Sequence, residues 1–212
     1  MQLTSYWRSS AAYRVRIALN LKGVDYDVLP VDLRAGVQRG AQNSTRHPLG
    51  LVPALSHEGR WLTQSLAIVE WLDETVPEPP LLPADPLARA EARALALTIA
   101  CEIHPLNNTR VLKYLESVLD QPEAARLAWY RHWVAEGFAA LERMLAGAGP
   151  FCVGDRPGLA DVCLVPQVYN ARRYDCPLDA FPTVTRIEQA CLALPAFDQA
   201  RPERQPDAMT GG

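Results

Sequence analysis

A decapeptide, "PEPPLLPADP" at residues 77–86, carries five prolines and divides this chain of 212 residues into halves of different character. Proline at such density removes backbone donors and fixes φ, so neither a helix nor a sheet ladder runs through it. It reads as an extended spacer between domains. Before the spacer the apolar pattern keeps changing period. Residues 2–6 read as a short strand entering a helix over about 10–22, where Ile17, Ala18 and Leu21 recur at helical spacing and Gly23 supplies the stop. "DYDVLPVDL" at 25–33 is strand-like, with Pro30 demoting it to a sheet edge or a bulge. Residues 34–50 are polar and irregular, broken by Gly36, Gly40, Pro48 and Gly50. "LVPAL" and "RWLTQ" form two short strands around "SHEGR". "SLAIVEWLDETV" is an amphipathic helix that Ser65 can cap, with Leu66, Val69 and Leu72 as its apolar seam. After the spacer only helical spacing remains, over 86–119, 122–147, 158–173 and 183–194, with a kink expected at Pro105. The expected organisation is an α/β domain over 1–80 followed by an all-α domain over 87–212.

Several function classes are disfavoured by what the chain lacks. A net charge of −3 does not suit a general nucleic-acid binder. No apolar run reaches the roughly 18 residues of a membrane span, and "MQLTSYW" has no cationic segment leading into an apolar one. The expectation is a soluble, cytoplasmic protein. Cys101, Cys152, Cys163, Cys176 and Cys191 are odd in number, widely spaced and without Cys-x-x-Cys, so free, mostly buried thiols are expected rather than disulfides or a zinc site. His47, His57, His104 and His132 lack metal-ligand spacing, and no metal is expected. Dinucleotide-binding, Walker A, His-Glu-x-x-His and nucleophile-elbow motifs are absent.

Three short motifs remain. In "RSSAAYR" two serines stand where a strand gives way to a helix. Either is a simple cap for free backbone N–H groups. The same physics lets a helix N-terminus hold an anion, and a hydroxyl there can donate to a thiolate and lower its pKa. In "LVPAL", Pro53 sits at a strand start, where a cis bond would re-aim the chain. In "TQSLAIVEWL", Gln64 and Ser65 precede a helix, where amide, hydroxyl and N–H groups can hold a carboxylate or simply cap the helix.

In this order, within this pattern of elements, the motifs resemble the glutathione transferase superfamily. "SSAAYRVRIALNLKG", "LVPAL", "QSLAIVEWL", "LLPADP", "IHPLNN", "LADVCLVPQV", "NARRY" and "RQPD" resemble the zeta class in particular, over essentially the whole chain. That resemblance implies a thioredoxin-like N-terminal domain with a cis-proline, an all-α C-terminal domain, glutathione as cofactor and a homodimer. It places Ser9 at the glutathione sulfur, with Ser10 lining the helix end. Gln64 and Ser65 meet the γ-glutamyl carboxylate, the Val52 backbone the cysteinyl part, and Gln38 the glycyl end. His104 and Asn108, four apart on one expected helical face, reach glutathione. The resemblance puts Arg110 on the carboxylates of a small-molecule maleyl dicarboxylate; Arg8 and Arg173 either complete an anion clamp there, which arginine forks suit, or are surface arginines. Arg14 and Arg16 are expected to form structural ion pairs, and Asp155 and Asp161 to serve folding. The family's usual cysteine after the two serines is Ala11 here, so no protein thiol acts at that point.

The function implied is glutathione-dependent cis–trans isomerisation of a maleyl keto acid, maleylacetoacetate, to its fumaryl isomer in aromatic catabolism. Maleylpyruvate isomerisation in gentisate degradation and a transferase or dehalogenase acting on α-halo acids share the same glutathione residues. A non-catalytic binding protein is disfavoured by the intact motifs.

Overall fold

In a computed structural model, residues 1–208 are described, apart from the side chain of Gln42. Two compact units emerge, Met1–Leu81 together with the tail from Ala193, and Leu82–Leu192.

The first unit is built on β1 (Gln2–Ser5), α1 (Ser10–Leu21), β2 (Asp27–Pro30), α2 (Ala41–Arg46), β3 (Ala54–His57), β4 (Arg60–Thr63) and α3 (Ser65–Thr75). The sheet order is β2-β1-β3-β4. β1 runs parallel to β2, with Ser5 opposite Pro30, and antiparallel to β3, with Thr4 opposite Ala54. Pro30 thus lies on an edge strand, where its missing N–H costs no ladder bond. β3 and β4 form a hairpin turned by Glu58 and Gly59, at φ 49° and 76°. Two consecutive left-handed residues match the twist of the strands they join.

Helix α1 is buried along nearly its whole length, Arg14 and Arg16 included. Arg16 is 0 % exposed and donates to the Ser5 hydroxyl, the Trp7 carbonyl and the Ala200 carbonyl at 3.0, 3.0 and 3.1 Å. Lys22, capping the end of α1, meets Asp73 on α3 at 2.7 Å and the Pro79 carbonyl at 2.6 Å, while the same Asp73 oxygen accepts from the Leu81 N–H. One buried ion pair therefore fastens α1, α3 and the start of the proline spacer together. The seam of α3 is Ile68, Val69 and Leu72; the expected Leu66 is only half-buried. Within 34–50, read as irregular, the chain forms a single 3₁₀ turn, Val37–Arg39, and then α2. Asn43 on α2 donates to the carbonyls of Gln38 and Leu51 and ties this segment to the strand entry.

The second unit holds α4 (Pro86–Leu97), a π-helical turn (Thr98–Ile103), α5 (His104–Asn107), α6 (Thr109–Ser117), α7 (Glu123–Met144), α8 (Leu159–Arg173) and α9 (Pro182–Leu192). The expected helix over 86–119 is therefore interrupted twice. Gly137 explains part of this. A Cβ there would overlap Cγ1 and Cδ1 of Ile103, so the missing side chain lets α7 seat the π turn directly. Asp161 on α8 accepts from the N–H groups of Cys152 and Gly158, both at 2.9 Å, which fits the folding role expected of it. Gly158 supplies no side-chain cap, and Asp161 closes the helix start by reaching back.

The expected second domain, 87–212, loses its tail. From Ala193 the chain belongs to the first unit, where α10 (Pro195–Gln199) packs against α1. The reason is polar: Arg16 needs the Ala200 carbonyl, Asn20 donates to the Ala196 carbonyl at 2.9 Å, and Asp207 accepts from the Trp7 N–H at 2.9 Å. Among the described residues no helix is long and apolar enough to cross a membrane.

Candidate active site

In the first unit the site is built around the start of α1. Ser9 is the N-cap, with extended backbone at φ −70° and ψ 117°, and its Oγ accepts from the Ala12 N–H at 3.2 Å. That bond uses a lone pair and leaves the hydroxyl proton to donate elsewhere. Capping and holding a thiolate are therefore compatible roles of one side chain. Ser9 is half-buried and Ser10, the first helical residue, is buried. A turn closed by the Ser9 N–H on the Tyr6 carbonyl, 2.8 Å, brings the strand into the helix. Arg8, on that turn, stacks its guanidinium 3.9 Å from the centre of the Trp7 ring.

The Val52–Pro53 peptide is cis. Thr4 Oγ1 accepts from the Ala54 N–H at 2.8 Å and donates to the Ala54 carbonyl at 3.3 Å, so a side chain holds the strand start directly after it. Val52 lies outside β3, and its backbone belongs to the strand entry rather than to the ladder.

Gln64 precedes α3 with φ 68° and ψ 114°, a left-handed conformation that a residue with a Cβ adopts only at a cost. Its side chain is exposed. Ser65 departs from the expectation that it caps α3. It is already the first helical residue, is buried, and accepts from Arg14 Nη1 at 3.3 Å. Arg14 thus supports the pair from beneath. Gln38 lies in the 3₁₀ turn, half-buried, its Oε1 buried and without a protein partner.

In the second unit, His104 opens α5 and Asn108 caps α6. Asn108 is extended, at φ −66° and ψ 143°, so the two do not share a continuous helical face as expected. They meet nonetheless, with Asn108 Nδ2 3.4 Å from His104 Nε2, because the helix break swings Asn108 back. Asn108 Oδ1 accepts from the Arg110 N–H at 3.0 Å. Arg110 itself is exposed in the first turn of α6. The paired arginines of "NARRY" divide. Arg172 is bound by both oxygens of Glu188, at 3.2 and 2.5 Å, whereas Arg173 is exposed with its guanidinium 5.0 Å from the Tyr174 ring centre.

All five cysteines are free, and Cys101 is the exposed one. Burial pushes the thiols of Cys152 and Cys191 well up, and that of Cys176 up to about 11. These three stay protonated near neutral pH and make poor nucleophiles. Asp207 closes the motif "RQPD", to which the sequence assigns no role. Its partner, the Trp7 N–H, lies 200 positions away, and no local pattern announces such a bond.

Residues 8–75 match the family model for the glutathione S-transferase N-terminal domain, and residues 124–200 that for the glutathione S-transferase C-terminal domain. The chain is 50% identical over 209 residues to a probable maleylacetoacetate isomerase of Vibrio cholerae, covering 97% of each protein. A bacterial maleylpyruvate isomerase solved in its holo form and described as zeta class superposes with a TM-score of 0.96 at 45% identity, covering 98% of this chain and 100% of that one. A maleylacetoacetate isomerase from Anaeromyxobacter dehalogenans, solved with glutathione in its active site, superposes at 0.89 with 47% identity, covering 98% and 97%. With near-complete coverage at this identity, and a thioredoxin-like sheet with its cis-proline ahead of an all-helical unit, the chain belongs to the zeta-class glutathione transferase family of maleylacetoacetate and maleylpyruvate isomerases.

Proposed function

We propose that this protein is a glutathione-dependent cis–trans isomerase that converts maleylacetoacetate to its fumaryl isomer. The observation that carries the reading is Ser9. It caps α1 through a lone pair and keeps a hydroxyl proton at a helix N-terminus. Hydroxyl and helix end together favour a thiolate over a thiol. When bound, glutathione supplies the sulfur that adds reversibly to the maleyl double bond, leaves a single bond free to rotate, and departs unchanged.

The residues present fit that cofactor. Gln64, held in a strained conformation with an exposed amide, and the buried Ser65 suit the γ-glutamyl carboxylate. Val52 keeps its backbone outside the sheet ladder for the cysteinyl part, and Ser10 lines the helix end. Gln38 is assigned to the glycyl end, with its Oε1 lacking a protein partner. His104 and Asn108 are assigned to glutathione as a hydrogen-bonded pair. Arg8, Arg110 and Arg173 are assigned to the substrate carboxylates and to the oxygens where negative charge grows. Exposure of Arg110 and Arg173 favours such recruitment, while Arg172 is already committed to Glu188. We assign the protein to the cytoplasm, as a homodimer.

Maleylpyruvate is the second reading, favoured by the close superposition on the maleylpyruvate isomerase. Both substrates present the same maleyl end. Purified protein with glutathione is expected to form the fumaryl isomer of one of them, and the ratio of kcat/KM values ranks the two. No glutathione-dependent turnover of either overturns the assignment. Turnover of α-halo acids alone would favour the dehalogenase.

A further inference from the structure

We infer that the C-terminal tail is a positioning element of the thiolate site, acting through Asp207 on the peptide groups of Trp7. Trp7 is gripped from two sides. Its N–H donates to Asp207 Oδ2 at 2.9 Å, and its carbonyl accepts from Arg16 Nη2 at 3.0 Å. Arg16 in turn holds the Ala200 carbonyl at 3.1 Å, so both grips involve the returning tail. Gln205 keeps the tail folded by donating to the carbonyls of Gln199 and Arg201 at 3.0 and 2.9 Å. The gripped residue lies two positions before Ser9. The intervening turn is short and is closed by the Ser9 N–H on the Tyr6 carbonyl. Trp7 also carries the ring on which Arg8 stacks. A displacement of the Trp7 peptide therefore passes directly to the Ser9 hydroxyl and the Arg8 guanidinium.

This inference rests on the proposed role of Ser9 at the glutathione sulfur. The charged side chains that contact this turn include Arg8 on the turn itself, Arg16 on α1 and Asp207 on the tail, and Arg14 on α1 meets Ser65. The sign of the effect separates positioning from charge. Asp207 is negative, so removing its charge alone favours a nearby thiolate. Loosening the Ser9 donor disfavours it.

The test compares wild type, Asp207→Ala and Asp207→Asn by ultraviolet titration of the bound glutathione thiolate. Asp207→Ala is expected to raise the bound thiol pKa by about one unit, a tenfold change in the equilibrium. Its kcat/KM at neutral pH is expected to fall about 10- to 100-fold, the scale of a small misplacement, and to recover as pH rises. Asp207→Asn keeps an acceptor but removes the charge, so its bound thiol pKa is expected to be unchanged or lowered, and a rise in this variant overturns the inference even if the alanine variant does not fold. An unchanged or lowered thiol pKa in folded Asp207→Ala overturns the inference, whatever happens to its Tm. Amide hydrogen exchange reads the same geometry without ligand. Trp7 and Ser9 amides are expected to exchange at least about tenfold faster in Asp207→Ala, since a lost bond of about 1.4 kcal/mol corresponds to that factor. If wild type fails to bind glutathione, the proposed function fails while exchange still decides the positioning.

Discussion

Gln64 offers a test in which stability and binding move in opposite directions. Its backbone sits at φ 68° and ψ 114°, outside the regions open to residues with a Cβ. Such a conformation costs about 1–3 kcal/mol. Glycine adopts it freely, but the Gln64→Gly substitution adds unfolded-state entropy worth about 0.5–1 kcal/mol. The exposed Gln64 side chain buries little, so the net expectation is a variant from about as stable as wild type to about 2 kcal/mol more stable. Binding behaves otherwise. If the amide donates to the γ-glutamyl carboxylate, its loss removes one charge-assisted hydrogen bond, about 1.5–3 kcal/mol. That weakens glutathione about 10- to 150-fold. Urea denaturation gives the first quantity, and calorimetric titration with glutathione or KM for glutathione gives the second. A Gln64→Ala control keeps the strained φ and should lose binding without gaining stability. Unaltered glutathione affinity in Gln64→Gly would refute the carboxylate assignment. A variant destabilised by more than about 1 kcal/mol would refute the strain argument.

Replacing Lys22 by methionine leaves Asp73 beside an apolar chain in a pair whose lysine side chain is 0% exposed, so stability should fall by about 3–5 kcal/mol, measured by denaturant unfolding. Gly137→Ala should destabilise strongly because the new methyl overlaps Ile103; Gly137→Ala with Ile103→Ala should recover much of the loss, since the remaining Ile103 Cβ would lie 3.6 Å away. A double variant no more stable than Gly137→Ala would break that steric account. Burial pushes the Glu142 carboxyl up, but bonds from the Thr183 hydroxyl and the Val184 and Thr183 N–H groups, with Arg186 nearby, outweigh it and hold the pKa below its usual value. Its stabilising contribution is therefore complete above the ordinary carboxylate range and lost as pH falls through the lowered value. Across about pH 5 to 3 the Tm of wild type should drop more steeply than that of Glu142→Gln, and parallel curves would discount this cap.

Local chemistry was legible in the sequence, and long-range chemistry was not. The turn between β3 and β4 depends on a few neighbouring residues and stands in the structure as read; of the alternatives left open, Pro30 takes the sheet edge and Ser9 the helix cap. The helix over 86–119 was over-read because its apolar spacing continues through 98–108, while the breaks come from Gly137, 34 positions beyond Ile103, and from the cap made by Asn108. Ser65 was misread as a cap because nothing local reveals that Gln64 takes a positive φ or that Arg14 lies beneath. The α2 segment is too short, at six residues, for periodicity to register. The tail of the expected second domain packs elsewhere for the same reason that "RQPD" suggests no role for Asp207: its partners are backbone groups near the other end of the chain.

The grip on Trp7 also sets an order of events during synthesis. Its carbonyl partner, Arg16, is made almost at once, but its N–H partner lies 200 residues later. At about 5–20 residues per second, that interval lasts about 10–40 s on the ribosome. The sheet and α1 to α3 can assemble within it, and the helices of the second unit can follow. The serine turn reaches its final geometry only after Asp207 has emerged. A chain broken off shortly before that point would carry the sheet, α1 to α3 and all of the second unit, yet leave the Trp7 N–H without its Asp207 partner. The bond that grips the Trp7 N–H is thus among the last of the first unit to form.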